Sequence, residues 1–252
     1  MSRIPLIAGN WKMHKTVPEA IETAVQLKEA INDVSGREIV IAPPFVSLVS
    51  VAEVIKDSNI TLSAQNVFWE DEGAYTGEIS PAMLRSAGCT YTIIGHSERR
   101  QYFGETDETV NKKIKKCLDN GLKTIVCIGE SLEERESGKT FSVLEAQISQ
   151  GLAGLNPNQM ESIVIAYEPV WAIGTGKTAT TTQAEEAHQF IRSKIEGKYG
   201  KEVAEKVRIL YGGSVKPDNI DGLMAEKDVD GVLVGGASLK AESFARIVKF
   251  LS

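Results

Sequence analysis

Three short segments carry the residue types that acid–base chemistry needs. In Tyr167-Glu168-Pro169-Val170-Trp171, a carboxylate follows the apolar run Ile163–Tyr167. A carboxylate at the end of a buried run, backed by proline and tryptophan, is a candidate general base, because partial desolvation raises its pKa toward working pH. The alternative is a buried carboxylate paired with a structural arginine. In Gly95-His96-Ser97-Glu98-Arg99, one of only three histidines follows the run Tyr91–Ile94. If Ser97 opens a helical turn, His96 lies against its positive end, which favours neutral imidazole. Such a ring can donate a hydrogen bond to a carbonyl or enediolate oxygen; the alternative is a core histidine bonded to backbone. His14 and His188 lack such placement, and His188 falls mid-helix on an expected solvent face. In Gly9-Asn10-Trp11-Lys12-Met13, Lys12 stands just past the run Leu6–Ala8, where its ammonium either points into a site or is merely solvated.

Two glycine pairs add a second kind of chemistry. Gly212-Gly213-Ser214-Val215 follows the run Arg208–Tyr211, and Gly235-Gly236-Ala237-Ser238 follows the run Gly231–Val234. Glycine lets main-chain N–H groups approach an anion with no Cβ in the way, so the two pairs read as a phosphate cradle. Tight turns also favour glycine, and that alternative stays open. Between Trp171 and Ala179 the chain ends like a P-loop, Gly176-Lys177-Thr178, but Trp171 stands where such a loop needs its first glycine. The better expectation is a lid whose Gly174 and Gly176 amides close on an anion.

These segments need elements to position them. Eight short apolar runs recur, the other three being Ile39–Ala42, Thr61–Ala64 and Thr124–Ile128. They are rich in Val and Ile and mostly lack polar alternation, as suits parallel strands buried on both faces. Helical stretches lie between them. Ala20, Ala24, Leu27 and Ile31 share one face behind Pro18, Ser80-Pro81 caps a helix that Gly88 ends, and Ala241, Phe244, Ile247 and Val248 line the last helix. Thr182-Gln183-Ala184-Glu185 reads as a capping box before Ala187, Ile191 and Ile195. Eight βα units in 252 residues predict an α/β fold: a single-domain (β/α)8 barrel spanning residues 1–252, with a doubly wound open sheet as the runner-up. In such a barrel the site lies at the C-terminal ends of the strands, where all five segments fall.

Composition narrows the classes. A net charge of −6 argues against a nucleic-acid partner, although local lysines and amides can still hold a phosphate. No apolar run approaches the roughly 20 residues of a membrane span, and the N-terminus lacks a signal pattern. Cys89, Cys117 and Cys127 match no metal or redox spacing, which fits reduced thiols in a cytoplasmic protein. Cys127 is either core packing or a reactive thiol.

Taken together, Asn10-Trp11-Lys12-Met13, Ile94-Gly95-His96-Ser97-Glu98-Arg99-Arg100, Ala166-Tyr167-Glu168-Pro169-Val170-Trp171-Ala172-Ile173-Gly174-Thr175-Gly176, Tyr211-Gly212-Gly213-Ser214 and Gly235-Gly236-Ala237 resemble the motifs of the triosephosphate isomerase family, in that family's order and across nearly the whole chain. The resemblance implies interconversion of dihydroxyacetone phosphate and glyceraldehyde 3-phosphate through an enediolate, in glycolysis and gluconeogenesis, without cofactor or metal. It makes Glu168 the base, His96 the neutral electrophile and Lys12 the cationic partner of the oxyanion. It has Asn10 position the substrate, with Glu98 and Ser97 supporting from behind. It places the phosphate on Gly174, Ser214 and Gly236, beside Gly235. It also implies a homodimer through the loop Gln65–Glu78, where Phe68, Trp69 and Tyr75 are expected to form an exposed apolar patch. A Schiff-base aldolase using Lys12 and a catalytically silent barrel are the competing outcomes.

Overall fold

The computed structural model describes residues 3–172 and 178–251. Eight parallel strands, β1 (Leu6–Asn10), β2 (Glu38–Ala42), β3 (Ile60–Ala64), β4 (Tyr91–Ile94), β5 (Lys123–Ile128), β6 (Ile163–Tyr167), β7 (Arg208–Tyr211) and β8 (Gly231–Val234), close into a barrel in chain order. Leu6 pairs with both Glu38 and Gly231, which seals β1 between β2 and β8 and excludes the open sheet. Around the barrel run α1 (Val17–Ala30), α2 (Leu48–Ile55), α3 (Pro81–Ser86), α4 (Ser97–Phe103), α5 (Asp107–Asp119), α6 (Leu132–Glu136), α7 (Thr140–Gly151), α8 (Thr181–Tyr199), α9 (Lys201–Lys206), α10 (Ile220–Met224) and α11 (Ala241–Val248).

Strand residues alternate between two cores. Leu6, Ala8, Val40, Ala42, Tyr91, Ile93, Ile125, Cys127, Val164, Ala166, Leu210 and Leu233 fill the barrel. Their neighbours Ile7, Ile39, Ile41, Ile94, Val126, Ile165, Ile209 and Val232 pack outward with the helices. Both faces are therefore dry, which explains why the strand sequences lack polar alternation. Each fully buried aliphatic side chain contributes roughly 1.5–3 kcal/mol.

Sequence-predicted caps recur with one shift. Ser80 Oγ accepts the Met83 amide at 3.4 Å ahead of Pro81. The box that opens α8 is Thr180 with Gln183, not Thr182 with Glu185: Thr180 Oγ1 accepts Gln183 N, and Gln183 Oε1 accepts Thr180 N. Both readings satisfy the motif in sequence; the helix starts two residues earlier than the apolar pattern implied. His188 on α8 is also corrected. It is fully buried rather than solvent-facing, because that face of α8 packs its ring against Tyr167 and Tyr211 at centroid distances of 6.0 and 6.5 Å.

Candidate active site

Counting by twos along the inward positions explains how the strands deliver the site. Leu6 and Ala8 lead to Asn10, and Val164 and Ala166 lead to Glu168, so both polar groups enter the barrel mouth in phase with the interior core. Leu210 leads to Gly212. A Cβ there would lie 2.9 Å from Glu168 Cγ, so glycine makes room for the carboxylate. On β4 the phase breaks. Tyr91 and Ile93 point inward, but the next inward position is Gly95, whose φ of +74° turns the chain so that His96 faces the mouth instead.

The result is a cavity of about 300 Å³ lined by Asn10, Lys12, His96, Glu168, Gly212, Gly213, Ser214, Gly235 and Gly236, among others. Nine of the ten sequence-predicted site residues lie in it or directly behind it; Gly174, with the predicted lid, lies outside the described residues. Ser97 and Glu98 open α4 behind the cavity.

Glu168 is 2 % exposed. Its Oε1 lies 2.9 Å from His96 Nε2, and its Oε2 accepts the Ser97 amide at 2.9 Å. Among the described residues no arginine pairs with it, which removes the structural ion-pair alternative. Burial alone pushes its pKa up, as the sequence implied. The His96 ring, the Ser97 amide and the Lys12 ammonium outweigh burial, and the carboxyl stands below its usual value. The expectation of a raised pKa is thus corrected: the same α4 end that steadies His96 also solvates the carboxylate.

His96 caps α4. Its Nδ1 accepts the Glu98 amide at 3.2 Å, a role open only to an unprotonated nitrogen, so the ring proton sits on Nε2 and points at Glu168. Burial pulls the ring's pKa down, while the Glu168 carboxylate pulls it up and prevails in this arrangement. That upward shift departs from the simple helix-end expectation, and it depends on Glu168 being drawn back against the ring.

Lys12 adopts a φ of +52°. Asn10 Oδ1 accepts its amide at 3.0 Å, and Gln65 Nε2 donates to its carbonyl and to that of Ala42, each at 2.8 Å. Its Nζ reaches Glu98 Oε1 at 2.5 Å. Gln65 is a support that the sequence reading placed only in the predicted interface loop. Lys216, a further cation at the cavity rim, was missed; its signal was a lysine two positions after Ser214.

Cys127 lies in the interior core with its thiol pushed far up by burial and by the nearby Glu168 carboxylate, which settles it as packing. Of the three aromatics in the loop after β3, Tyr75 alone is exposed. Phe68 and Trp69 are half-buried, stacked at 4.2 Å, with Tyr75 4.7 Å from Phe68. The expected patch of three exposed aromatics is therefore a self-packed cluster with one open member.

The arrangement joins a carboxylate, an N–H donor, a cation and an amide-rich wall in one small cavity. That set can move a proton beside a carbonyl while holding an anionic group. No group of metal-ligating side chains occurs among the described residues. The triosephosphate isomerase family profile matches residues 5–251. Curated relatives named triosephosphate isomerase include those of Syntrophotalea carbinolica, 59% identical over 98% of each chain, and Caldanaerobacter subterraneus, 59% identical over 98% of this chain and 100% of the relative. That of Endomicrobium trichonymphae is 60% identical over 98% of this chain and 99% of the relative.

Proposed function

The chain belongs to the triosephosphate isomerase family, and from that membership we propose how its own residues interconvert dihydroxyacetone phosphate and glyceraldehyde 3-phosphate. The observation that carries the proposal is the meeting of Glu168, His96 and Lys12 beside the glycine-rich wall of one cavity. The phosphate binds the amides of Ser214, Gly235 and Gly236. The resemblance adds the Gly174 amide to that set. The carboxylate then leaves Ser97 N and His96 Nε2 and turns toward the carbon next to the carbonyl. As Glu168 takes that carbon's proton, negative charge grows on the substrate oxygen, and His96 Nε2–H and Lys12 Nζ meet it. Asn10 orients the substrate and Lys12, while Glu98 and Ser97 hold Lys12, His96 and the resting Glu168. A proton then moves from the neighbouring hydroxyl to the charged oxygen, carried by His96 Nε2, and Glu168 returns its proton to the neighbouring carbon, which completes the exchange. These are the roles familiar in the family, and no bound cofactor takes part.

Positioned proton transfer supplies ~10²–10⁴-fold, and preorganised electrostatics must supply much of the rest. Separating Glu168 from His96 removes the carboxylate's upward pull on the ring, so substrate entry itself favours the neutral donor. A coupled assay that follows dihydroxyacetone phosphate formed from glyceraldehyde 3-phosphate tests this function. Absence of isomerisation by the purified chain would refute it.

We further propose that the 252 residues act as one catalytic domain in a cytoplasmic homodimer. Exposed apolar side chains follow each of the first four strands: Met13 (94%), Val46 (75%), Tyr75 (44%) and, at the end of α4, Phe103 (68%). With the loop Gln65–Glu78, they supply a face to bury against a second copy. No helix among the described residues is long and apolar enough to cross a membrane. Sedimentation equilibrium at twice the chain mass supports the dimer, and a monomer at micromolar concentration refutes it.

A further inference from the structure

The turn that brings His96 into the mouth is held by side chains. The β4–β5 ladder ends at Ile94 opposite Val126, so Gly95 lies beyond it. Its N–H donates to Glu105 Oε1 at 2.8 Å, and its carbonyl accepts from Arg100 Nε at 2.8 Å. Arg100 sits one turn into α4, the helix that His96 caps. Its Nη2 also donates to the Cys127 carbonyl at 3.3 Å, and its Nη1 to Asp107 Oδ1 at 2.6 Å. One half-buried guanidinium thus ties α4 back to the turn after β4, to the end of β5 and to the start of α5.

We propose that Arg100 is a positioning residue for the isomerisation: it sets the placement of α4, and thereby where His96 and Glu168 stand relative to the substrate. The proposal rests on the reading of His96 and Glu168 given above. The link to both groups is direct. The Glu98 amide of α4 holds His96 Nδ1, and the Ser97 amide holds Glu168 Oε2. Gly95, at φ +74°, has no side chain of its own to lock the turn, so the Arg100 and Glu105 bonds must do it. Three donors of one planar fork each have a separate acceptor, a pattern that a lysine ammonium on a flexible stem cannot reproduce. The phosphate wall of Ser214, Gly235 and Gly236 follows β7 and β8, away from α4, so a shift of α4 touches the chemistry and leaves the grip intact.

The test compares full-length wild type with Arg100→Met, Arg100→Lys, Asp107→Asn and Glu168→Gln. It measures kcat, KM, competitive inhibition by inorganic phosphate, and thermal midpoint. A displacement near 1 Å costs on the order of 10²-fold in rate. Arg100→Met is expected to lose about that much kcat, with KM and phosphate inhibition held within about threefold. Arg100→Lys recovers part of the loss, and Asp107→Asn, which keeps the guanidinium but removes its anchor, loses less. Unchanged kcat in Arg100→Met overturns the proposal, as does a kcat loss matched by equal losses in phosphate binding and thermal midpoint. If Arg100→Met does not fold, Asp107→Asn decides by the same criteria. If Glu168→Gln keeps wild-type turnover, the reading beneath the proposal fails; if it loses turnover while the Arg100 and Asp107 variants keep theirs, only this proposal fails.

Discussion

Protonation of His188 is expected to destabilise the fold in mild acid. The ring is fully buried, and its Nδ1–H donates to the Asp228 carbonyl at 3.1 Å. Among the described residues its Nε2 has no hydrogen-bond partner, so a second proton would create a buried, unpaired N–H and a buried charge. Burial pushes its pKa from 6.5 down to about 4, with Arg192 adding to the fall while the Asp228 carbonyl and carboxylate oppose it. A histidine whose folded pKa lies below the unfolded one contributes stability above the unfolded value and loses it as pH falls toward the folded value. The window here is pH 6.5 down to 4. The full difference is worth about 3 kcal/mol, of which about 2 kcal/mol is lost between pH 7 and pH 4.5. Urea unfolding of wild type and His188→Asn, at both pH values and one protein concentration, reads this term. Asparagine keeps an N–H donor for the Asp228 carbonyl but cannot titrate. The wild type should therefore lose about 2 kcal/mol more than the variant on acidification. Equal losses in the two proteins would refute the assignment.

Two other outcomes follow from the site. Gly212→Ala places a methyl 2.9 Å from Glu168 Cγ and should cut kcat by ~10²-fold while circular dichroism and thermal midpoint stay near wild type; full activity would show that the carboxylate does not need that space. The thiols of Cys89 and Cys117 are pushed up to about 12 by burial, and that of Cys127 is raised as well. A disulfide reagent at pH 8 should therefore release three thiols per chain in denaturant and almost none from the native protein over the same minutes. Rapid reaction of one native thiol would refute the core assignment of that cysteine.

Much of the architecture was legible because its signals are local. Each inner strand residue alternates with an outer one, and both faces are dry, so the strands announced themselves as eight apolar runs. Asn10, in the last β1–β2 pair, and Glu168 and Gly212, one residue past theirs, fell at strand ends because the inward period of two simply continues. What stayed hidden depends on contacts between distant segments. His188 looked exposed because α8 continues as a helix on both sides of it, and only the packing of Tyr167 and Tyr211 shows which face is buried. The direction of the Glu168 shift was missed because the Ser97 amide and the His96 ring come from another strand's loop, 71 and 72 positions away. The half-buried state of Phe68 and Trp69 likewise reflects stacking within the loop that composition cannot reveal.

We propose that Glu168 carries the substrate proton. The most direct test is the turnover of Glu168→Gln, which keeps the shape of the side chain and removes the base, measured beside inhibition by inorganic phosphate. The prediction is a kcat reduced by roughly 10²–10⁴-fold with phosphate binding within a few-fold of wild type. Turnover near the wild-type rate, with binding intact, would contradict it.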